Sequence, residues 1–222
     1  GGVSSPTDRI TSTQFAEEEL RAAVQEAEAA MVPVMAHAYT ARAINRAIRC
    51  GVSSIEHGNL LDESSIELFL SHDAVLVPTL STYQAIAREG VEAGMPPALA
   101  AKVYEVLDAG IEALALAHRH GVKLVYGTDL LGDMHRDQLQ EFAIRGQVQP
   151  PVEVIRAATC NAARLFRLQG EIGEVLPGAR ADLLVVEGNP LEDLKYLMDP
   201  ARYLRAILKD GVFYKDELPG AA

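Results

Sequence analysis

Val34-Met35-Ala36-His37 and Val52-Ser53-Ser54-Ile55-Glu56-His57-Gly58 decide the reading of this chain. Each is a short, mostly apolar run that closes on a histidine. Pro33 precedes the first run. Between the two lies a helix-period stretch over about 40–50, with Ile44 and Ile48 one turn apart. It stops at Gly51, the residue type that commonly follows a helix end. Two apolar strands joined through a helix predict parallel pairing with a helical crossover.

The same pattern extends in both directions. Residues 1–12 read as loop, with Gly-Gly, Ser-Pro and Thr-Asp turn chemistry. Thr13 is a candidate cap for the following helix, whose Glu17, Glu18 and Glu19 suit the positive end of its dipole. Leu20, Val24, Ala27 and Met31 continue it at helical spacing. Downstream, Asp62 is a candidate cap for a helix carrying Ile66, Phe69 and Leu70, and Ala74–Pro78 reads as a third strand. A Gly/Pro-containing stretch, 83–97, reads as a flexible loop or lid, with Gly90 to Gly94 and Met95-Pro96-Pro97 as its core. A long helix, roughly 98–120, closes at Gly121, and Val122–Tyr126 leads into Gly127-Thr128-Asp129. A helix over 150–166 ends the pattern. Four strand–helix units in alternation predict an α/β fold with a parallel sheet. Beyond about residue 167, Ala181–Val186, Arg205–Leu208 and Val212–Tyr214 read as short strands of a β module, the last two joined by an Asp210-Gly211 hairpin turn.

Composition sets outer bounds. Of 222 residues, 49% are hydrophobic and 23% charged, an ordinary globular balance, and the net charge is −11. An acidic chain without a Lys/Arg cluster is a poor match for nucleic acid or an anionic membrane. No apolar run approaches the ~18 residues of a membrane span. Cys50 and Cys160 read as reduced thiols, which points to a cytoplasmic compartment. Gly1-Gly2-Val3 does not read as a natural start, so the chain is expected to be a fragment, with room for a targeting signal upstream.

His37, His57 and Asp129 fall where their strands end, and α/β proteins place chemistry there. Neutral imidazoles and a carboxylate suit Zn²⁺ and similar ions. Singly, each also has a structural explanation: a strand-end His can hold a loop, and Asp after Gly-Thr can cap a turn. Glu56 could orient His57, although strand alternation points it outward, away from the mouth.

Ala36-His37-Ala38-Tyr39-Thr40, Ser54-Ile55-Glu56-His57-Gly58-Asn59, Val77-Pro78-Thr79-Leu80 and Tyr126 to His135 stand in an order that resembles the second half of the amidohydrolase superfamily. The closest resemblance is to its imidazolonepropionase-like and prolidase-like dipeptidase branch. Asn161-Ala162-Ala163, Gly170–Gly173, Pro177-Gly178, Ala181-Asp182-Leu183 and Asn189-Pro190 are similar to the segment leading that barrel into its β-sandwich.

The resemblance implies the second half of a (β/α)8 TIM barrel, four βα units over 1–167, then part of a small β-sandwich over 168–222. It implies metal-activated hydrolysis of an amide or peptide C–N bond in a dipeptide or N-acyl amino acid. His37 and His57 would bind one metal. Asp129 would bind the other and serve as general base. Tyr39 would polarise the scissile carbonyl and contact substrate. His135 would bind a substrate carboxylate, with Arg136 as an alternative. The metal would be zinc by family habit, in a centre that is binuclear in the complete enzyme. The expected partners are the small-molecule substrate and the complementary half-barrel or a second copy of this chain. No nucleic acid or membrane partner is expected.

The family's strand-one His-x-His pair and strand-four lysine have no counterpart here. His118 and His120 have the pair's spacing but lie at a helix end, and Lys123 opens a strand at the wrong position. The chain alone is therefore expected to be inactive. The competing reading is a catalytically incomplete chain, either a truncated product or a partner subunit of the complementary half.

Overall fold

In the computed structural model, residues 1–90 and 94–220 are described, in two units, Gly1–Glu141 and Phe142–Ala222. The expected division at 167/168 follows the change in sequence texture and lies later in the chain than this one. The expected lid includes 91–93, which lie outside the described residues.

The first unit runs α1 (Glu17–Ala29), β1 (Met35–Thr40), α2 (Ala41–Arg49), β2 (Ser54–Leu60), α3 (Glu63–Ser71), β3 (Val75–Val77), α4 (Leu80–Glu89), α5 (Pro97–Arg119) and β4 (Lys123–Leu124). A 3-10 turn, Gly132–Asp137, follows, and then α6 (Gln140–Arg145). The four strands form one parallel sheet in the order β1-β2-β3-β4. Each strand pairs with the next in sequence, through one helix for the first two crossovers and through α4 and α5 for the third.

Local chemistry explains the helix ends. Asp62 caps α3 as expected, its carboxylate accepting from Ser64 N at 2.9 Å and Ser65 N at 3.2 Å. Thr40 caps α2 by accepting from Ala43 N. Thr13 does not cap α1. Ala16 occupies that place, and the Glu19 carboxylate reaches back to the Ala16 N–H at 2.8 Å. Thr13 instead accepts from the Arg46 guanidinium.

Three further expectations change. The front of the 83–97 stretch is helix, since α4 covers Leu80–Glu89. Its buried face carries Ser81 and Thr82 beside Leu80, Tyr83 and Ala85, so no clean apolar period marks it. The 150–166 helix divides into α7 (Pro151–Ala158) and α8 (Cys160–Leu165) at Thr159, whose hydroxyl donates back to the Ile155 carbonyl. The fourth strand is two residues long.

The second unit contains α7, α8, β5 (Leu183–Val186), α9 (Lys195–Met198), α10 (Pro200–Tyr203), β6 (Leu204–Lys209) and β7 (Val212–Asp216). The three strands form an antiparallel sheet in the order β5-β6-β7. Asp210 and Gly211 join β6 to β7 with φ of 51° and 79°, the left-handed pair a two-residue hairpin requires. The Asp182 carboxylate fastens that turn through Lys209 Nζ at 2.5 Å and Asp210 N at 2.7 Å. No helix among the described residues is long and apolar enough to cross a membrane.

Candidate active site

Two histidines meet on the β1–β2 pair, whose strands run on to Thr40 and Leu60, past the ends expected at His37 and His57. His37 Nδ1 and His57 Nε2 lie 2.6 Å apart, with ring centroids at 4.8 Å. Parallel pairing alone would not bring them together, because Ala38, not His37, is the register partner of His57. The backbone supplies the correction. His57 has φ of 78° and Gly58 φ of 65°. The left-handed turn breaks strand alternation and re-aims the imidazole. A side chain at Gly58 would also meet Leu76 Cδ1 at 2.4 Å, so glycine is required there on two counts.

His57 is 3% exposed, and its far nitrogen, Nδ1, lies 2.7 Å from Thr79 Oγ1. Burial, together with His37 beside it, lowers its pKa to about 3. The ring is therefore neutral at physiological pH, with one N–H. Two tautomers satisfy both bonds. Ligation of a metal through Nε2 selects the one in which Nδ1–H donates to Thr79. Thr79 has no role in the sequence reading. Its signal was its place, two residues past the end of the strand that neighbours β2.

Tyr39 stacks on His57 at 4.8 Å, with ring planes 6° apart. Its hydroxyl accepts from Tyr83 at 3.3 Å. Burial raises the Tyr39 pKa and pushes the Tyr83 phenol far above its ordinary value. Both stay protonated, so Tyr39 keeps a hydrogen-bond donor.

Asp129 follows β4 with φ of 51°, and its backbone carbonyl accepts from Thr82 Oγ1 at 3.0 Å. Its carboxyl pKa is raised by desolvation and lowered by His37, which lies within electrostatic reach. Two residues of the candidate site, His57 and Asp129, thus sit in a backbone region that side chains rarely adopt, a kind of strain that clusters at functional sites.

Glu56 departs from the outward orientation expected of it. It is 7% exposed and accepts from Ser54 Oγ at 2.8 Å. Ser54 and Glu56 share one face of β2, and the kink at His57 swings only the next residue away from that alternation. Burial raises the Glu56 pKa, and the Asp129 charge adds to that. Glu56 has no bond to the His57 ring, which Thr79 holds instead.

The remaining candidates have other partners or are exposed. His135 is exposed on the 3-10 turn, where its carbonyl accepts from Gln138 N. Arg136 is paired with Glu89, and Arg88 bridges Glu89 and Asp137. Lys123 is exposed and paired with Asp73 at 2.5 Å. Cys50 and Cys160 are free thiols.

Two facing imidazole nitrogens, one ring set by a hydroxyl on its other nitrogen, are a donor set that fits a divalent metal. Among the described residues, however, no group of three or more His, Cys, Asp and Glu is gathered closely enough to hold an ion. His37 and His57 are the two imidazoles that the described residues bring together here.

The model of the amidohydrolase family matches residues 1–212. Ochratoxinase of Aspergillus niger is 32% identical over 216 residues, which cover 97% of this chain and 45% of ochratoxinase. A prolidase solved in complex with N-methylphosphonate-L-proline shares 50% identity with a TM-score of 0.94, over 97% of this chain and 54% of that one. A Xaa-Pro dipeptidase solved with methionine in its active site shares 31% identity with a TM-score of 0.83, over 91% and 49%. The chain thus spans about half the length of these relatives. The match across nearly all of its residues carries the conclusion that the chain belongs to the amidohydrolase family.

Proposed function

We propose that this chain carries part of the active site of a prolidase-like amidohydrolase, cleaving the C–N bond of a dipeptide or N-acyl amino acid. In this reading, 1–167 are half of a (β/α)8 barrel and 168–222 part of a β-sandwich, in a cytoplasmic enzyme. The observation that carries it is the convergence of His37 Nδ1 and His57 Nε2, with Thr79 behind His57. The ochratoxinase, prolidase and dipeptidase relatives support the substrate class.

His37 and His57 would hold a divalent ion, zinc foremost, with residues outside this chain completing the centre. Such an ion supplies Lewis acidity toward the scissile carbonyl and lowers the pKa of a water. Asp129 takes the proton from the attacking water and delivers it to the departing amine nitrogen. Its carboxylate must be ionised to do so, and His37 favours that form while partial burial opposes it. Tyr39 donates its hydroxyl to the carbonyl oxygen as negative charge develops there. The stacked His57 ring and the Tyr83 hydroxyl hold the Tyr39 ring for that task. His135 on the exposed turn is the candidate contact for the substrate carboxylate.

Metal content per chain after purification without chelator, paired with hydrolysis of a panel of Xaa-Pro dipeptides and N-acyl amino acids, tests this reading. Two protein ligands predict at most about one weakly held zinc, with negligible turnover by this chain alone. Loss of that zinc in His37→Asn and in His57→Asn would support the assignment. No metal in any folded sample would sink it and leave a non-catalytic partner subunit. Two tightly held ions with turnover would show that other residues of this chain complete the centre.

A further inference from the structure

Lys102 on α5 makes an unusual set of bonds. Its ammonium donates to the backbone carbonyls of Gly2 at 3.4 Å, of Ser5 at 2.8 Å, and of Asp8. A lysine has three N–H donors, and three carbonyls spaced three residues apart accept them. The ammonium is thus held by carbonyl dipoles of a single loop. That loop is also braced from within, since Ser5 Oγ accepts from Asp8 N at 3.1 Å.

The loop ends at the candidate site. Val3, within the clasped segment, and Ile10, two residues past it, are buried in one apolar cluster with Tyr39, Tyr83, Val103 and Val106. Val103 follows Lys102 on α5. The Val3 backbone lies against the Tyr39 hydroxyl as a hydrogen-bonding group. One helix therefore packs the tyrosine pair through Val103 and Val106, and anchors the loop over it through Lys102.

We propose that Lys102 is a positioning residue for Tyr39: its bonds to Gly2, Ser5 and Asp8 hold the loop over 2–10, which walls the Tyr39 hydroxyl and sets where it points. The catalytic consequence rests on the proposed function. The mechanical link from Lys102 through the loop to the Tyr39 ring does not.

Lys102→Met tests it in the full 222-residue chain, since methionine keeps the side-chain length and helix propensity. Circular dichroism checks that the variant folds. Backbone amides of 2–10 are expected to exchange about tenfold faster or more, because three bonds to a charged donor are lost. Trypsin is expected to cleave faster after the exposed Arg9. Lys102→Arg keeps charge and donors and should recover most of the protection. In spectra of chains labelled at tyrosine Cζ, the Tyr39 signal, identified by its loss in Tyr39→Phe, should shift in Lys102→Met. It should stay in place in Lys123→Met, which breaks only an exposed pair with Asp73.

Unchanged loop exchange overturns the proposal, and so does a released loop with an unmoved Tyr39 signal. If the complete enzyme turns over, Lys102→Met should lower kcat about 10-fold to 100-fold with little change in KM. It should cost nothing further in Tyr39→Phe. A loss that simply adds to that of Tyr39→Phe would overturn the positioning role. Loop and Tyr39 effects as expected in a protein that hydrolyses no substrate would uphold the link and remove the functional reading.

Discussion

β2 and β1 each carry a histidine within the strand, short of its end, and treat it in opposite ways. β2 is buried along its first six residues and delivers a histidine that is buried, neutral and held at both nitrogens. β1 lies at the edge of its sheet, with Met35 64% exposed and His37 exposed, and His37 touches the site through one nitrogen. The residue type is the same and both positions lie mid-strand. Among the described residues, bonds at both nitrogens preorganise the first imidazole, whereas the second is bonded at one. The proposed ion would need both rings, whereas burial makes His57 the one that packing constrains more tightly.

Gly58→Ala is the strongest way to break the β2 side of this comparison. The new Cβ meets the fully buried Leu76 while φ stays at 65°. A loss of about 2–4 kcal/mol in urea unfolding is expected. Gly132→Ala, also at positive φ but in open space, should lose about 1 kcal/mol. Equal losses would mean that the close approach to Leu76 contributes nothing.

Thr79→Val removes the partner of the buried His57 Nδ1. Its expected cost is about 1–3 kcal/mol of stability and about a 10-fold to 100-fold drop in zinc affinity. Thr79→Ser keeps the hydroxyl and should behave nearly as the native chain. Identical zinc titrations for the valine and serine variants would remove Thr79 from the site.

A smaller effect is expected from Glu56→Gln, and it depends on pH. Burial raises the Glu56 pKa in the folded chain. Its favourable contribution is therefore complete below the unfolded value of about 4.3 and is lost as pH rises through the folded value. Unfolding curves at pH 4 and pH 7 should show the glutamine variant gaining on the native chain only at the higher pH. A difference independent of pH would contradict the raised pKa.

His37→Asn is the smallest change for the fold. On the exposed edge it should alter stability by less than about 0.5 kcal/mol, yet abolish zinc uptake. His57→Asn should abolish uptake and also destabilise, so stability separates the two histidines where metal binding does not.

Much of the scaffold was legible because it rests on short-range chemistry. Asp62 at a helix start, Gly51 at a helix end and Asp210-Gly211 at a hairpin act within a few residues of themselves, and the structure places each as read. Thr13 failed because Glu19 supplied the reciprocal bond to Ala16 and Arg46 drew the threonine hydroxyl away. α4 was missed because its buried face carries Ser81 and Thr82, whose polarity masks the helical period. Of the site, His37 and His57 were readable from the apolar runs that carry them and Tyr39 from the family resemblance. The three rings do come together, although both strands run on past the histidines. Thr79 was not, because nothing local marks a threonine that supports a ring 22 residues away.

By itself, the sequence determined the alternation of apolar runs and helical periods, most of the turns and caps, the histidines carried by the apolar runs and the acidic composition. These depend on backbone preference and side-chain polarity, properties each residue carries with it. Only the tertiary structure decided that His57 turns off its strand to face His37, that Glu56 is buried on the face it shares with Ser54, and that Lys102 holds the loop beside Tyr39. The His57–His37 and Lys102–loop contacts join residues from 20 to about 100 positions apart, and the burial of Glu56 depends on what packs over β2, all of which packing sets and no local pattern encodes.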